Sequence, residues 1–239
     1  YGAYAIAAQR RRRSVDDLVK NTPADGIITG FASVNGRYFA PERARTAVLA
    51  YDASVLAGTQ GTYNHAKTDR LLEQAAAWET PVVFYCEGGG GRPGDTDQPG
   101  VAGLDVPTFA TFAGLSGQQP LVGITAGFCF AGNAAILGCC DVIIATEDCN
   151  IGMGGPAMIE GGGLGVHAPK DVGPAHIQRE NGVIDVSVKD EFEATQVARK
   201  YLAFFQGAVK DWTAADQRRL RHVVPENRLR VYEMRDVIE

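Results

Sequence analysis

The sequence predicts an α/β protein built on a mixed, largely parallel sheet flanked by helices, and three observations carry that prediction. Short apolar runs recur at TAVLAYD (46–52), PVVFYCE (81–87), LVGITA (121–126) and DVIIAT (141–146). Between them lies helical spacing, clearest in NHAKTDRLLEQAAAWE (64–79). Glycine then clusters just after the apolar runs. Strands separated by helices build parallel sheets covered on their faces. In such sheets ligands gather at the strand C-terminal ends, where glycine lets a ligand approach the backbone.

In chain order, residues 4–20 are predicted as a helix with Arg10 to Arg13 on its exposed side. Four adjacent arginines read as a solvated face before they read as a contact to an anion. IITGFASVNGRY (27–38) is predicted as a strand pair turned at Asn35-Gly36. The four apolar runs are buried strands, and EFEATQVARKYLAFF (191–205) is an amphipathic helix. DTDQPG (95–100) is a polar loop.

Composition narrows the function. The net charge of -5 gives no basic field for nucleic acid. No apolar run approaches the roughly 18 residues of a membrane span. The N-terminal YGAYAIAAQRRRRS lacks the order of a signal peptide. There is no initiator Met, and RVYEMRDVIE stops inside an amphipathic pattern, so the chain is expected to be a piece of something longer. The five cysteines, Cys86, Cys129, Cys139, Cys140 and Cys149, are odd in number and mostly sit in apolar stretches. They read as buried hydrophobes of a cytoplasmic protein, with Cys129 as a nucleophile the minority reading. His65, His167, His176 and His222 are scattered singly, so no metal site is expected.

The glycine blocks are AGTQG (57–61), GGGGRPGD (88–95), GITAGFCFAGNAA (123–135) and GMGGPAMIEGGGLG (152–165). Packing explains any one of them; a series at successive strand ends points to a ligand. GGGRPG (89–94) has the spacing of a dinucleotide fingerprint but opens onto a turn-rich loop instead of a helix. No P-loop and no G-x-S-x-G elbow occurs.

Taken in order, DASVLAGTQGTYNHAK (52–67), EGGGGRPGD, GFCFAGNAA and GPAMIEGGG resemble the carboxyltransferase component of biotin-dependent acyl-CoA carboxylases, from about residue 26 onward. The ending ENRLRVYEMR is most similar to the single-chain long-chain type. The resemblance implies the crotonase (ClpP-like) fold and two homologous halves, of which this chain resembles the N-terminal one. The implied division is an N-terminal helical segment (1–25), a crotonase-like domain (26–224) and a linker entering the second half (225–239). It also implies that backbone N–H groups from Gly89, Gly90 and Gly91, and from Gly132 and Asn133, hold a thioester oxygen while the α-carbon loses its proton. Family members often carry Gly where Asn133 stands, so Asn133 is expected to narrow the site. Lys67 and Arg92 are the implied contacts to coenzyme A phosphates, with Gly58, Gly61 and Ala131 lining the ligand.

Crotonase-type hydratases carry catalytic Glu residues that fall, by resemblance, at Ala135 and near Ala157. Without them water addition lacks its acid and base. A carboxyltransferase does without both, because carboxybiotin brings the CO2 and the proton acceptor. Glu87 and Glu160 read as structural. No Met-Lys-Met-like biotin acceptor and no ATP motif occurs in the chain. The implied partners are therefore the C-terminal carboxyltransferase half and the biotin carboxyl carrier and biotin carboxylase domains or subunits, in a homo-oligomer of dimers within a hexamer. A biotin-dependent decarboxylase, a hydratase or isomerase, and a non-catalytic acyl-CoA-binding module stay open beside this reading.

Overall fold

A computed structural model describes residues 2–98, 105–209 and 212–238. Contacts divide the chain into two compact units, Tyr1–Gly207 and Ala208–Glu239. The larger carries every strand among the described residues. The smaller holds the short helices Leu220–Val223 and Arg235–Ile238, and none of its described residues is buried.

The larger unit is a six-stranded sheet: β1 (Ile27–Ser33), β2 (Arg45–Tyr51), β3 (Val82–Tyr85), β4 (Leu121–Thr125), β6 (Val142–Thr146) and β8 (Val186–Val188), in that spatial order. β1 runs antiparallel to β2, and all the other neighbours are parallel. Two shorter strands, β5 (Phe128–Phe130) and β7 (Asn150–Gly152), pair in parallel as a second small sheet.

The central strands read as continuous apolar runs because both of their faces are covered. On one face Leu49, Phe84, Leu121 and Ile143 pack against α3 (Thr62–Ala77), α4 (Thr108–Gly114) and α5 (Gly132–Leu137). On the other face Val83, Val122, Ile124 and Ile144 meet Ala194, Ala198 and Leu202 of α8 (Glu191–Ala203). Asp190 caps α8, accepting from the Glu193 N–H at 2.8 Å, while the Glu193 carboxylate accepts from the Lys189 N–H at 2.9 Å.

Beyond their C-terminal ends the central strands continue into a second layer. Gln60 bridges to Gly91, Gly88 to Cys129, and Asn150 to Pro174, with β5 and β7 between the last two. The second layer thus repeats the order of the main sheet, and it lines up the glycine blocks edge to edge. The largely parallel sheet flanked by helices is the one the sequence pattern predicts, and the arrangement is the crotonase-like one that the resemblance implies.

Two predicted elements differ. Residues 4–14 are not helical, and α1 is confined to Val15–Asn21, capped by Ser14. The backbone of 5–8 is drawn into long-range bonds instead: Asp25 N–H to Ala5 O, Ala7 N–H to Thr22 Oγ1, and the Thr96 and Asp97 N–H groups to Ala8 O. Arg10 to Arg13 are exposed. The predicted turn at Asn35-Gly36 does not return as a hairpin. Asn35, at φ 57°, opens a turn that runs into α2 (Pro41–Ala44), and the partner of β1 is β2. The cause is tertiary: Asn35 Nδ2 donates to Arg199 O and Gln206 Oε1, and Gln206 Nε2 donates back to Val34 O and Arg43 O. These bonds pin the turn to the end of α8. Of the loop 95–100, residues 99 and 100 lie outside the described residues. The segments between these elements add α6 (Pro156–Gly161) and α7 (Ala175–Glu180).

Candidate active site

Three glycine-rich turns meet where the strands enter the second layer. The turn after β2 (residues 56–61) touches the turn after β3 (88–92): the Gln60 N–H donates to Gly90 O and the Arg92 N–H to Gln60 O, both at 2.8 Å. The turn after β3 touches β5 in the same way, through Gly88 N–H to Phe128 O and Phe130 N–H to Gly88 O. At Gly90, φ is +87° and an added Cβ would stand 2.6 Å from the Ala131 Cβ and 3.3 Å from the Gly132 nitrogen. Glycine at 90 is therefore what lets the β3 turn lie against the start of α5. Ala131, the residue before that helix, is held at φ 50° and ψ −120°, a sparsely populated conformation for a residue with a side chain.

The five positions expected to supply donors divide sharply. Gly89 N–H bonds to Ala57 O at 3.1 Å, and Gly90, which is buried, bonds to Asn133 Oδ1 at 2.9 Å. Gly91 is exposed, Gly132 is half-buried and Asn133 is buried; none of these three N–H groups has an acceptor among the described residues. Gly132 opens α5, so the first-turn N–H groups and the helix dipole add positive potential there. Asn133 does not narrow the site. Its side chain is fully buried beneath the turns, with Nδ2 donating to Glu87 O at 3.0 Å and to Gly58 O at 3.4 Å.

The two predicted phosphate contacts face inward. Lys67 Nζ donates to Ala24 O at 2.6 Å and to Ile27 O, and burial lowers its pKa against the pull of Asp25. Arg92 is 3% exposed. It pairs with Asp25, lies 3.5 Å from Asp95, and donates to Thr59 Oγ1 at 3.1 Å and Thr59 O at 2.7 Å. A guanidinium so enclosed has no face left for a phosphate, so its place is as a strut between the first two turns and the 24–27 segment. Burial raises the Asp25 pKa, opposed chiefly by Arg92. Gly61 has no side chain because one would strike the Arg92 guanidinium, 2.1 Å from the Cβ position.

Sequence reasoning missed Gln60. It is fully buried and donates through Nε2 to the Tyr51 hydroxyl at 3.1 Å. Its Oε1 has no partner among the described residues and lies 2.1 Å from where a Gly132 Cβ would be. A Gln within a turn motif gives no signal of such packing. His65 was read only as a lone histidine. It is 1% exposed, and burial holds its pKa down at about 4, so it is neutral. Thr108 gives its hydroxyl hydrogen to Asp69, so the hydrogen His65 shares with Thr108, at 2.9 Å, sits on Nδ1.

The remaining candidates are structural. Burial pushes the Cys86 and Cys129 thiols well up, the opposite of an activated nucleophile. Glu87 accepts the Ala126 N–H at 3.1 Å, and burial raises its pKa. Ala135 lies in the first turns of α5, behind Gly132.

The chain has relatives among known proteins. The sequence matches the carboxyl transferase domain family over residues 3–239, and the chain belongs to that family. It is 30% identical over 227 residues to the methylmalonyl-CoA carboxyltransferase 12S subunit of Propionibacterium freudenreichii subsp. shermanii, covering 90% of this chain and 41% of that protein. It is 27% identical to the uncharacterized carboxylase YngE of Bacillus subtilis (strain 168), covering 91% and 43% respectively. Among solved structures, a single-chain, multi-domain long-chain acyl-CoA carboxylase superposes with a TM-score of 0.92 at 59% identity, covering all of this chain and 24% of that one. The transcarboxylase 12S hexamer superposes at 0.76 with 26% identity. The chain therefore spans less than half the length of each of these relatives.

Proposed function

We propose that this chain forms the acyl-CoA side of the carboxyltransferase site in a biotin-dependent long-chain acyl-CoA carboxylase. The observation that carries the proposal is that the N–H groups of Gly91 on the β3 turn and of Gly132 at the start of α5, with that of Asn133 beside it, have no acceptor among the described residues, in a chain of the carboxyl transferase family. The long-chain assignment rests on the 59% identity to the single-chain enzyme.

Removing a proton from the α-carbon of a thioester moves negative charge onto the carbonyl oxygen. Two N–H groups aimed at that oxygen stabilise the enolate without having to reorganise. Gly91 brings its donor from the β3 turn, and Gly132 brings one reinforced by the start of α5. The Arg92 network holds the first of these turns rigid. Ala135 and Ala157 place no carboxylate at the hydratase positions, which suits a reaction whose base is not a side chain. Carboxybiotin, delivered by another domain or subunit, supplies CO2 and the proton acceptor when bound. This chain's residues then orient the thioester and hold its charge. The partners that follow are the second carboxyltransferase half, the biotin carrier and the biotin carboxylase, assembled as a homo-oligomer.

The test uses the full-length polypeptide with ATP, bicarbonate and acyl-CoA esters of graded length. Incorporation of labelled bicarbonate into palmitoyl-CoA in preference to propionyl-CoA is expected. Hydration of a trans-2-enoyl-CoA with no bicarbonate fixed would reject the reading, and a preference for propionyl-CoA would reject the chain-length assignment alone.

A further inference from the structure

The three turns are rich in Gly, so beyond the Arg92 strut few side chains hold them to one another, yet a donor pair works only if its spacing is fixed. We infer that the Asn133 carboxamide is the positioning residue that sets this spacing and selects which N–H groups face the substrate. The inference rests on the proposed role of Gly91 and Gly132.

Asn133 is 0% exposed, stands at the start of α5 and hydrogen-bonds to the other two turns. Its Oδ1 takes the Gly90 N–H from the β3 turn at 2.9 Å. Its Nδ2 gives one hydrogen to Glu87 O at 3.0 Å and approaches Gly58 O of the β2 turn at 3.4 Å. The partners fix the orientation of the amide. Gly90 N–H can only donate, and the two carbonyls can only accept, so oxygen and nitrogen cannot exchange places. The residue itself belongs to the first turn of α5, next to Gly132. One side chain thus joins the helix that carries one donor to the turn that carries the other.

The bond to Gly90 also removes a donor. Gly90 lies between Gly89, whose N–H goes to Ala57 O, and Gly91. With Gly90 engaged by Asn133, Gly91 is the residue of that glycine run left to meet an incoming oxygen together with Gly132. No smaller side chain does both jobs. Alanine or glycine at 133 frees the Gly90 N–H and strands the Glu87 and Gly58 carbonyls. Aspartate keeps an acceptor for Gly90 but sets a carboxylate against two carbonyl oxygens.

The experiment compares wild type with Asn133→Ala and Asn133→Gly in the full-length polypeptide; the glycine variant adds no bulk to a turn already rich in glycine. Two ligands are used: palmitoyl-CoA, and S-hexadecyl-CoA, a thioether that lacks the carbonyl oxygen. For both variants kcat is expected to fall about tenfold or more, the scale of a misplaced oxyanion donor. Affinity for S-hexadecyl-CoA is expected to stay within about threefold, because Asn133 does not touch the ligand. The wild-type preference for palmitoyl-CoA over the thioether should shrink toward unity. If that preference and kcat both survive in the variants, the positioning role is wrong while the donor pair stands. If both ligands are weakened equally along with thermal stability, Asn133 is only a structural residue and the inference fails. If wild type itself binds both ligands equally, the donor pair is wrong and the inference falls with it.

Discussion

At the scale of single residues, the site is a matter of which N–H groups are left over. A Cβ at Gly132 would stand 2.1 Å from Gln60 Oε1, too close for both atoms. Gly132→Ala therefore displaces either Gln60 or the donor, and kcat should fall by about 10²-fold with little change in KM, measured on acyl-CoA carboxylation. Arg92 makes a different prediction. Its removal leaves Asp25 and Asp95 as buried carboxylates without their cation, so Arg92→Ala should lose about 3–5 kcal/mol of stability in denaturant unfolding. A variant with wild-type stability and a raised KM for acyl-CoA would return Arg92 to the phosphate role the sequence implies. His65 predicts a pH dependence. Its folded pKa of about 4 lies below the ordinary 6.5, so the unfolded chain takes up a proton through this window before the folded one does. Its contribution is complete above about 6.5 and is lost as pH falls toward about 4. Stability should drop by up to about 3 kcal/mol more in wild type than in His65→Asn over that range, followed by urea unfolding at each pH. Equal slopes would mean that His65 takes up its proton over the same pH range folded as unfolded. The glycine turns were legible as a series at successive strand ends, although packing explains any one of them. The direction in which Lys67 and Arg92 point was not: a cation in a glycine-rich turn reads the same in sequence whether its partner is a ligand phosphate or Asp25.

At the scale of elements, the strand signals that held were those backed by burial on two faces, and the helix signals at 64–79 and 191–205 held as α3 and α8. β2, β3, β4 and β6 fall within a residue or two of the apolar runs, because a strand covered on both sides must be apolar throughout. The misread elements are those whose backbone partners are far away in sequence. Residues 5–8 have helix-compatible composition but give their carbonyls to Asp25, Thr96 and Asp97. Asn35-Gly36 is a hairpin signal overruled by Gln206, more than 160 residues further on. α8 tests how much one cap contributes to an element that covers a whole sheet face. Asp190→Ala removes the acceptor of the Glu193 N–H and should cost about 1 kcal/mol. Leu202→Ala opens a cavity over Val122 and Ile144 and should cost about 2–5 kcal/mol. Calorimetry that ranks the cap above the core residue would contradict the packing described here.

At the scale of the whole molecule, the second layer repeats the strand order of the first, and this repetition brings glycine blocks about 30 to 40 residues apart in sequence into one place. The sequence shows the blocks and their order; their convergence is a property of topology and appears only in three dimensions. The family match covers residues 3–239, while the relatives extend well beyond this chain. No helix among the described residues is long and apolar enough to cross a membrane. Residues 1–239 supplied with free carboxybiotin are expected to bind acyl-CoA and to transfer no carboxyl group above background, since the biotin side of the site is proposed to lie on another half. Turnover near that of the full-length polypeptide would contradict the divided site. The central claim, that Gly91 and Gly132 hold the thioester oxygen, is tested most directly by a crystal structure of the full-length protein with palmitoyl-CoA. The account predicts the carbonyl oxygen about 2.7–3.1 Å from both the Gly91 and the Gly132 nitrogen. A thioester seated with that oxygen on any other donor, and with both glycine N–H groups bound to water, would contradict it.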